Sequence, residues 1–276
     1  MPVAPGLEPY DTFLLDLDGC VWVGDEPTPG AVEAVGALRA AGRKLAFVTN
    51  DARHSEDDFV RKLWRLGFQA AREEIVTVGG ALQYVLAESD HATAFVIGAP
   101  SMHRHVADAG LRILNGSDLA DRADVVVIAG HERFDYTELK GAVQAALRGA
   151  EVWCTARDAT FPMPDGPWPG TGSVVAAVET AAGVLAKSVG KPEPQIFLTA
   201  MDRLGNGRAL VVGDRLDTDI AGARAAGLDG AVVLTGATTA IMARQADPSP
   251  AFVAPTLAAL LLDRAPTTAA PSAEPQ

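Results

Sequence analysis

Asp16 and Asp18 stand where an apolar run, Thr12-Phe13-Leu14-Leu15-Asp16-Leu17, gives out, and Gly19 completes the sequence Asp-Leu-Asp-Gly. In an extended strand, side chains two apart share a direction, and a turn at Gly19 lets one carboxylate attack while the other reaches a leaving group. Taken alone, the pair is explained better by one turn-capping acid and one solvated acid. Three further segments change the balance. Val48-Thr49-Asn50 ends a second apolar run with a hydroxyl and backbone amides suited to a phosphoryl oxygen, although a plain helix cap uses the same residues. Gly190-Lys191-Pro192 holds a lysine at a turn, and a fixed cation is what a phosphate and a group of carboxylates need between them. Gly213-Asp214-Arg215-Leu216-Asp217-Thr218-Asp219 ends a third run in a dense acidic loop, where Asp217 or Asp219 also suits an N-cap. Asp16, Asp18 and Asp214 together offer oxygen ligands to a hard cation that keeps several waters, which describes Mg2+ better than a fully caged Ca2+.

These residues need a scaffold that brings strand ends together. Apolar runs alternate with segments of helical period, the pattern of a parallel sheet covered by helices, and ligands in such sheets bind outside the carboxyl ends of the strands. Residues 12–17, 44–49, 209–213 and 230–234 read as strands of one series, with helices over about 56–66 and 217–226 and an amphipathic stripe at Phe197, Ala200, Met201 and Leu204. A second α/β series, with strands near 94–97, 124–129 and 151–154, interrupts the first. The expected organisation is a core formed by residues 1–79 and 187–264, an α/β insertion over 80–186 and a disordered tail over 265–276. Gly79-Gly80 and the glycines near Gly170 read as hinges, His103 and His105 as a polar helix face, and Trp22, Trp153 and Trp168 as packing.

Composition narrows the function. At 276 residues with 48% hydrophobic and 21% charged residues, the chain is that of an ordinary globular protein. A formal charge of -12 disfavours nucleic acid as a partner, while a small phosphorylated metabolite remains compatible with a local cation and lysine. Two distant cysteines, Cys20 and Cys154, fit a reducing cytoplasm, and no segment reads as a signal peptide or membrane span.

The four motifs, in this order, resemble those of the haloacid dehalogenase superfamily of phosphohydrolases: Asp16-Leu17-Asp18-Gly19, Thr49-Asn50, Lys191 in Gly-Lys-Pro, and Gly213-Asp214 with Asp219. The long insertion is similar to the large α/β cap of the subfamily containing para-nitrophenyl, nucleotide, glycerol phosphate and phosphoglycolate phosphatases. Phe161-Pro162 and the stretch 169–173 resemble the exit from that cap. Two positions depart from it: Asp51 follows Thr49-Asn50 where relatives often carry a second Asn, and Ala156 stands where they often carry Asn. The resemblance implies a Rossmann-like doubly wound core with an inserted cap and hydrolysis of a small phosphomonoester. Asp16 is then the nucleophile, Asp18 the acid and base, and Mg2+ is held by Asp16, the Asp18 carbonyl and Asp214. Lys191, Thr49 and the amides near Asn50 and Gly19 grip the phosphate, and Asp219 supports the lysine or a metal-bound water. Arg157 and Trp168 in the cap are candidates for substrate selection, and dimerisation through the cap is a further implication. A superfamily phosphotransferase or mutase, and a non-catalytic phosphometabolite sensor, are the competing readings.

Overall fold

The structure is a computed structural model describing residues 3–131, 133–163 and 166–262, and the expected tail over 265–276 lies outside them. The strands run in chain order from β1 (Thr12–Asp16) through the short antiparallel pair β2 (Trp22–Val23) and β3 (Glu26–Pro27) to β4 (Lys44–Thr49) and β5 (Ile75–Thr77). A second group comprises β6 (Thr93–Ile97), β7 (Arg112–Ile113), β8 (Val125–Ile128), β9 (Glu151–Cys154), the hairpin strands β10 (Thr160–Met163) and β11 (Gly166–Pro169), and β12 (Lys187–Ser188). The chain returns with β13 (Ala209–Gly213), β14 (Asp229–Val233) and β15 (Phe252–Ala254).

Two parallel sheets result. The first has the order β15-β14-β13-β1-β4-β5, and the second β12-β9-β8-β6-β7. The second sheet therefore draws its strands from residues 93–188. In the first sheet the chain moves one way from β1 to β4 and β5, then returns to the other side of β1 for β13, β14 and β15. That reversal opens a crevice beside the carboxyl ends of β1 and β13, the place where open α/β sheets bind ligands.

Alternation along the strands decides what packs where. Phe13, Leu15, Leu45, Phe47, Leu210 and Val212 face a core closed by helices Ala31–Ala40, Glu56–Arg65 and Leu257–Leu261. Leu14, Ala46, Val48, Val76 and Val211 face the other way, into an apolar layer that also contains Val96, Val125 and Val127 of the second sheet. Helices Val78–Ala87, Pro100–Asp108 and Gln195–Leu204 contribute Leu82, Met102 and Phe197 to this shared layer. The outer face of the second sheet packs Phe95, Ile97, Val126 and Ile128 against helices Tyr136–Leu147 and Thr171–Ala182.

Two expectations are corrected. Gly79 and Gly80, read as hinges, are helical: they lie in the first turn of helix Val78–Ala87, where Thr77 caps the Gly80 amide at 3.0 Å. A side chain at Gly79 would collide with the His105 ring, so the glycine serves close helix packing. His105 in turn is buried, not on a polar outer face, and it meets the Gln83 amide oxygen at 2.8 Å and Glu56 at 3.5 Å.

Helix Glu56–Arg65 carries part of the cleft wall, and its start is fixed by a reciprocal cap. The Asp58 amide donates to Ser55 Oγ at 3.3 Å, and the Ser55 amide donates to Asp58 Oδ2 at 2.9 Å. Ser55→Ala is expected to destabilise the protein by about 1 kcal/mol, measured as a lower urea midpoint at unchanged slope.

Candidate active site

Because β1 is wholly buried, its last residue is carried to the crevice with no apolar alternative, and Asp16 arrives there with its side chain largely enclosed. Lys191 donates from Nζ to Asp16 Oδ1, and to Asp219 Oδ1 at 2.7 Å. All three are buried, Lys191 to 6% and Asp219 to 1% exposure. An ammonium this deep is tolerable only because two carboxylates hold it. Burial by itself would lower the lysine, yet Asp16 and Asp219 keep it above its ordinary value. Burial pushes the Asp16 carboxyl well above its ordinary range; Lys191 opposes that rise, while Asp219 and Asp214 add to it.

Lys191 is positioned through its backbone. Asn50, one residue beyond β4, accepts from the Lys191 amide at 2.9 Å and donates to the Lys191 carbonyl at 3.0 Å. Both ends of that side-chain amide are thus committed to the lysine loop. Gly190 permits the approach, since a Cβ there would overlap the Thr155 carbonyl at the end of β9. Thr49 is buried at the end of β4, and its hydroxyl oxygen accepts from the Asp51 amide at 3.1 Å. The hydroxyl hydrogen remains available for an acceptor in the cleft.

The acidic loop after β13 supplies the remaining carboxylates. Leu216–Ile220 forms one π-helical turn that returns Asp219 toward the sheet, where its Oδ2 accepts from the Arg215 amide at 3.0 Å. Asp214 is also buried; its Oδ2 accepts from the Ala237 amide at 2.6 Å, and burial raises its carboxyl above the ordinary range against that hydrogen bond. Gly19, with φ of 86°, lies so close to Asp214 that a Cβ would sit 2.5 Å from the carboxylate. The Gly19 amide itself donates to the Trp22 carbonyl at 2.7 Å, inside the turn. Asp18 is exposed at the cleft and accepts from the Trp22 indole at 2.8 Å.

Asp16, Asp214 and Asp219 can each present an oxygen within 4.8 Å of the others. Both oxygens of Asp219 are engaged, by Lys191 and Arg215, whereas Asp16 Oδ2 and Asp214 Oδ1 accept no hydrogen bond among the described residues. Three carboxylates against one ammonium leave an excess of negative charge in a buried place. An all-oxygen donor set with that excess fits a hard divalent cation such as Mg2+.

The site opens into a cleft of about 800 Å³ between the two sheets. The core side contributes Asp16, Asp18, Thr49, Asn50, Lys191 and Asp214, together with Arg53, Arg61, Lys62 and Arg65 toward the rim. The opposite wall carries His131, Phe134, Asp158, Thr160 and Thr171. Arg157 and Trp168 are not among the lining residues. Arg157 turns outward to the Glu179 carboxylate at 3.0 Å and the Ala186 carbonyl, and Trp168 stands on the β10–β11 hairpin. Asp158 faces the cleft instead, 3.4 Å from the Arg215 guanidinium of the opposite side. The sequence offered one clue to that swap, namely that adjacent residues leaving a strand point to opposite sides.

Residues 13–112 match a family described as haloacid dehalogenase-like hydrolase, and residues 188–260 one described as HAD-hydrolase-like. D-Glycerol 3-phosphate phosphatase of Mycobacterium tuberculosis is 40% identical over 242 residues, covering 87% of this chain and 67% of its own. Glycerol-3-phosphate phosphatase of Gallus gallus is 36% identical over 252 residues, covering 83% and 81%. Among solved structures, a glycerol phosphate phosphatase from Mycobacterium tuberculosis in complex with magnesium superposes with a TM-score of 0.87 at 38% identity, covering 93% of this chain and 78% of its own.

Asn50→Ala is expected to lower kcat/KM by about 10- to 100-fold for every substrate alike, because the lysine backbone loses both of its side-chain tethers. Steady-state kinetics across several phosphomonoesters would show this as a uniform drop.

Proposed function

The chain belongs to the haloacid dehalogenase-like hydrolases and is a phosphomonoester hydrolase, and we propose that it cleaves glycerol phosphate, or a closely related polyol phosphate, through an aspartyl-phosphate on Asp16. The observation that carries this reading is the state of Asp16. One of its oxygens is fixed by Lys191 and the other is uncommitted at the foot of the cleft. A carboxylate so held presents a single oxygen along a single direction, as an in-line attack on phosphorus requires.

Magnesium is the cofactor, and Asp16, Asp214 and the Asp18 carbonyl are the groups we assign to hold it, where it neutralises charge on the phosphoryl oxygens when bound. The protein's own groups account for the remaining work. Lys191 and the Thr49 hydroxyl grip phosphoryl oxygens, and Asp219 keeps the lysine charged and in place. Asp16 Oδ2 forms the new bond to phosphorus as the bond to the leaving oxygen breaks, and Asp18 gives that oxygen its proton. The same Asp18, now a carboxylate, takes a proton from water as the water attacks the phosphoaspartate, releasing inorganic phosphate and restoring Asp16. Glycerol phosphate is favoured among substrates by the names of the relatives at 40% and 36% identity, and by an opposite wall whose polar side chains, among the described residues, are hydroxyls, one histidine and one carboxylate.

Asp16→Asn should reduce kcat by at least about 10⁴-fold while the circular dichroism spectrum is retained, since the variant keeps the shape and loses the attacking oxygen. A phosphate-release panel of glycerol phosphate, phosphoglycolate, sugar phosphates and nucleotides should give its highest kcat/KM with glycerol phosphate. Treatment with a chelator should abolish turnover, with recovery on adding Mg2+ and poor recovery on adding Ca2+, whose larger and looser shell misplaces Asp16.

A further inference from the structure

Asp18 differs from Asp16, Asp214 and Asp219 in being exposed, and a solvated carboxylate has several staggered rotamers open to it. One contact restrains it: the Trp22 indole N–H donates to Asp18 Oδ1 at 2.8 Å. The indole itself is packed in place. It is 1% exposed, stacks on Phe59 with ring centroids 6.5 Å apart and planes 12° from parallel, and has Lys62 Nζ 4.4 Å from its centroid. Its backbone is tied to the same turn, with the Trp22 amide donating to the Leu17 carbonyl at 3.1 Å and its carbonyl accepting from Gly19. Asp18 Oδ2 accepts no hydrogen bond among the described residues, and Asp18 lines the cleft.

We propose that Trp22 is a positioning residue for Asp18: a rigid donor that holds one carboxylate oxygen so that the other is presented to the leaving group. This rests on the reading of Asp18 as the proton donor. A donor matters where the leaving oxygen would depart as an unstable alkoxide, and matters little where it departs as a stabilised nitrophenolate. A packing role for Trp22 would not distinguish those two leaving groups. The quantity to compare is kcat/KM, which reports the steps up to leaving-group departure.

Trp22→Phe retains an aromatic ring for the stack and the lysine contact and removes the N–H. Its kcat/KM for glycerol phosphate should fall by about 10- to 100-fold, with that for para-nitrophenyl phosphate falling less than about threefold and competitive inhibition by inorganic phosphate unchanged. Phe59→Leu, which keeps the N–H and loosens the ring beneath it, should show the same leaving-group pattern at smaller amplitude, and it decides the matter if Trp22→Phe fails to fold. Equal losses on both substrates, or no loss on either, would overturn the inference. Asp18→Asn separates the two levels. If that variant still turns over glycerol phosphate at near wild-type rate, the assignment of Asp18 falls; if it is inactive while Trp22→Phe is indifferent to the leaving group, only the role of Trp22 falls.

Discussion

The ammonium of Lys191 is the interaction on which the site depends. Asp16, Asp214 and Asp219 are all buried and all drawn to one small volume, an arrangement that repels itself without compensation. One lysine engages two of them, and removing that lysine would cost about 3–5 kcal/mol because the buried carboxylates would be left without a counter-charge. The rest of the local architecture can be understood as what that lysine requires. Asn50 clamps its backbone from both sides, Gly190 lets its loop approach Thr155, and the π-helical turn after β13 returns Asp219 beneath it. The remaining negative charge, shared between Asp16 and Asp214, is what a divalent cation relieves.

Division of labour follows from burial. Asp16, Asp214, Asp219 and Lys191 are enclosed and held by hydrogen bonds or ion pairs, whereas Asp18, the group proposed to exchange protons with substrate and then water, stands at the open side. The opposite wall contributes no lysine or arginine to the cleft among the described residues. Cations near the rim belong to the core side, and Arg53, Arg61 and Arg65 are each near a carboxylate of their own, Asp51, Asp58 and Asp25. Despite its burial, Asp51 is held well below the usual carboxylate range by His54 and Arg53, and it anchors both side chains at the rim.

Much of this arrangement is legible in the amino-acid sequence. A strand buried on both faces is an unbroken apolar run, and the first polar residue after it marks a sheet edge, so Asp16, Thr49 and Asp214 announced themselves. The doubly wound core and the second α/β series were readable for the same reason. What stayed hidden depends on contacts between distant segments. Nothing local says that the Asn50 side chain grips the backbone of Lys191, or that Trp22 aims at Asp18 while burying its ring. Gly79 looked like a hinge because glycine signals freedom as readily as close packing, and only the His105 ring against it decides between them. Arg157 and Asp158 are equally polar neighbours, and which of them enters the cleft is set by the Arg157–Glu179 pair across the insertion.

The central place of β1 has a further consequence for how the chain is made. β1 sits in the middle of its sheet, pairing Thr12 with Lys44 on one side and with Ala209 on the other. During synthesis the first neighbour is available early, but the second emerges only after the whole of the other sheet has been translated. Until then one edge of β1 is unsatisfied and Phe13, Leu14 and Leu15 lack part of their cover. Pairings so distant in sequence form slowly, and exposed apolar strand edges invite association with other chains. The geometry that brings Asp16 beside Asp214 thus leaves the nascent amino-terminal segment with an unpaired apolar edge until β13 emerges.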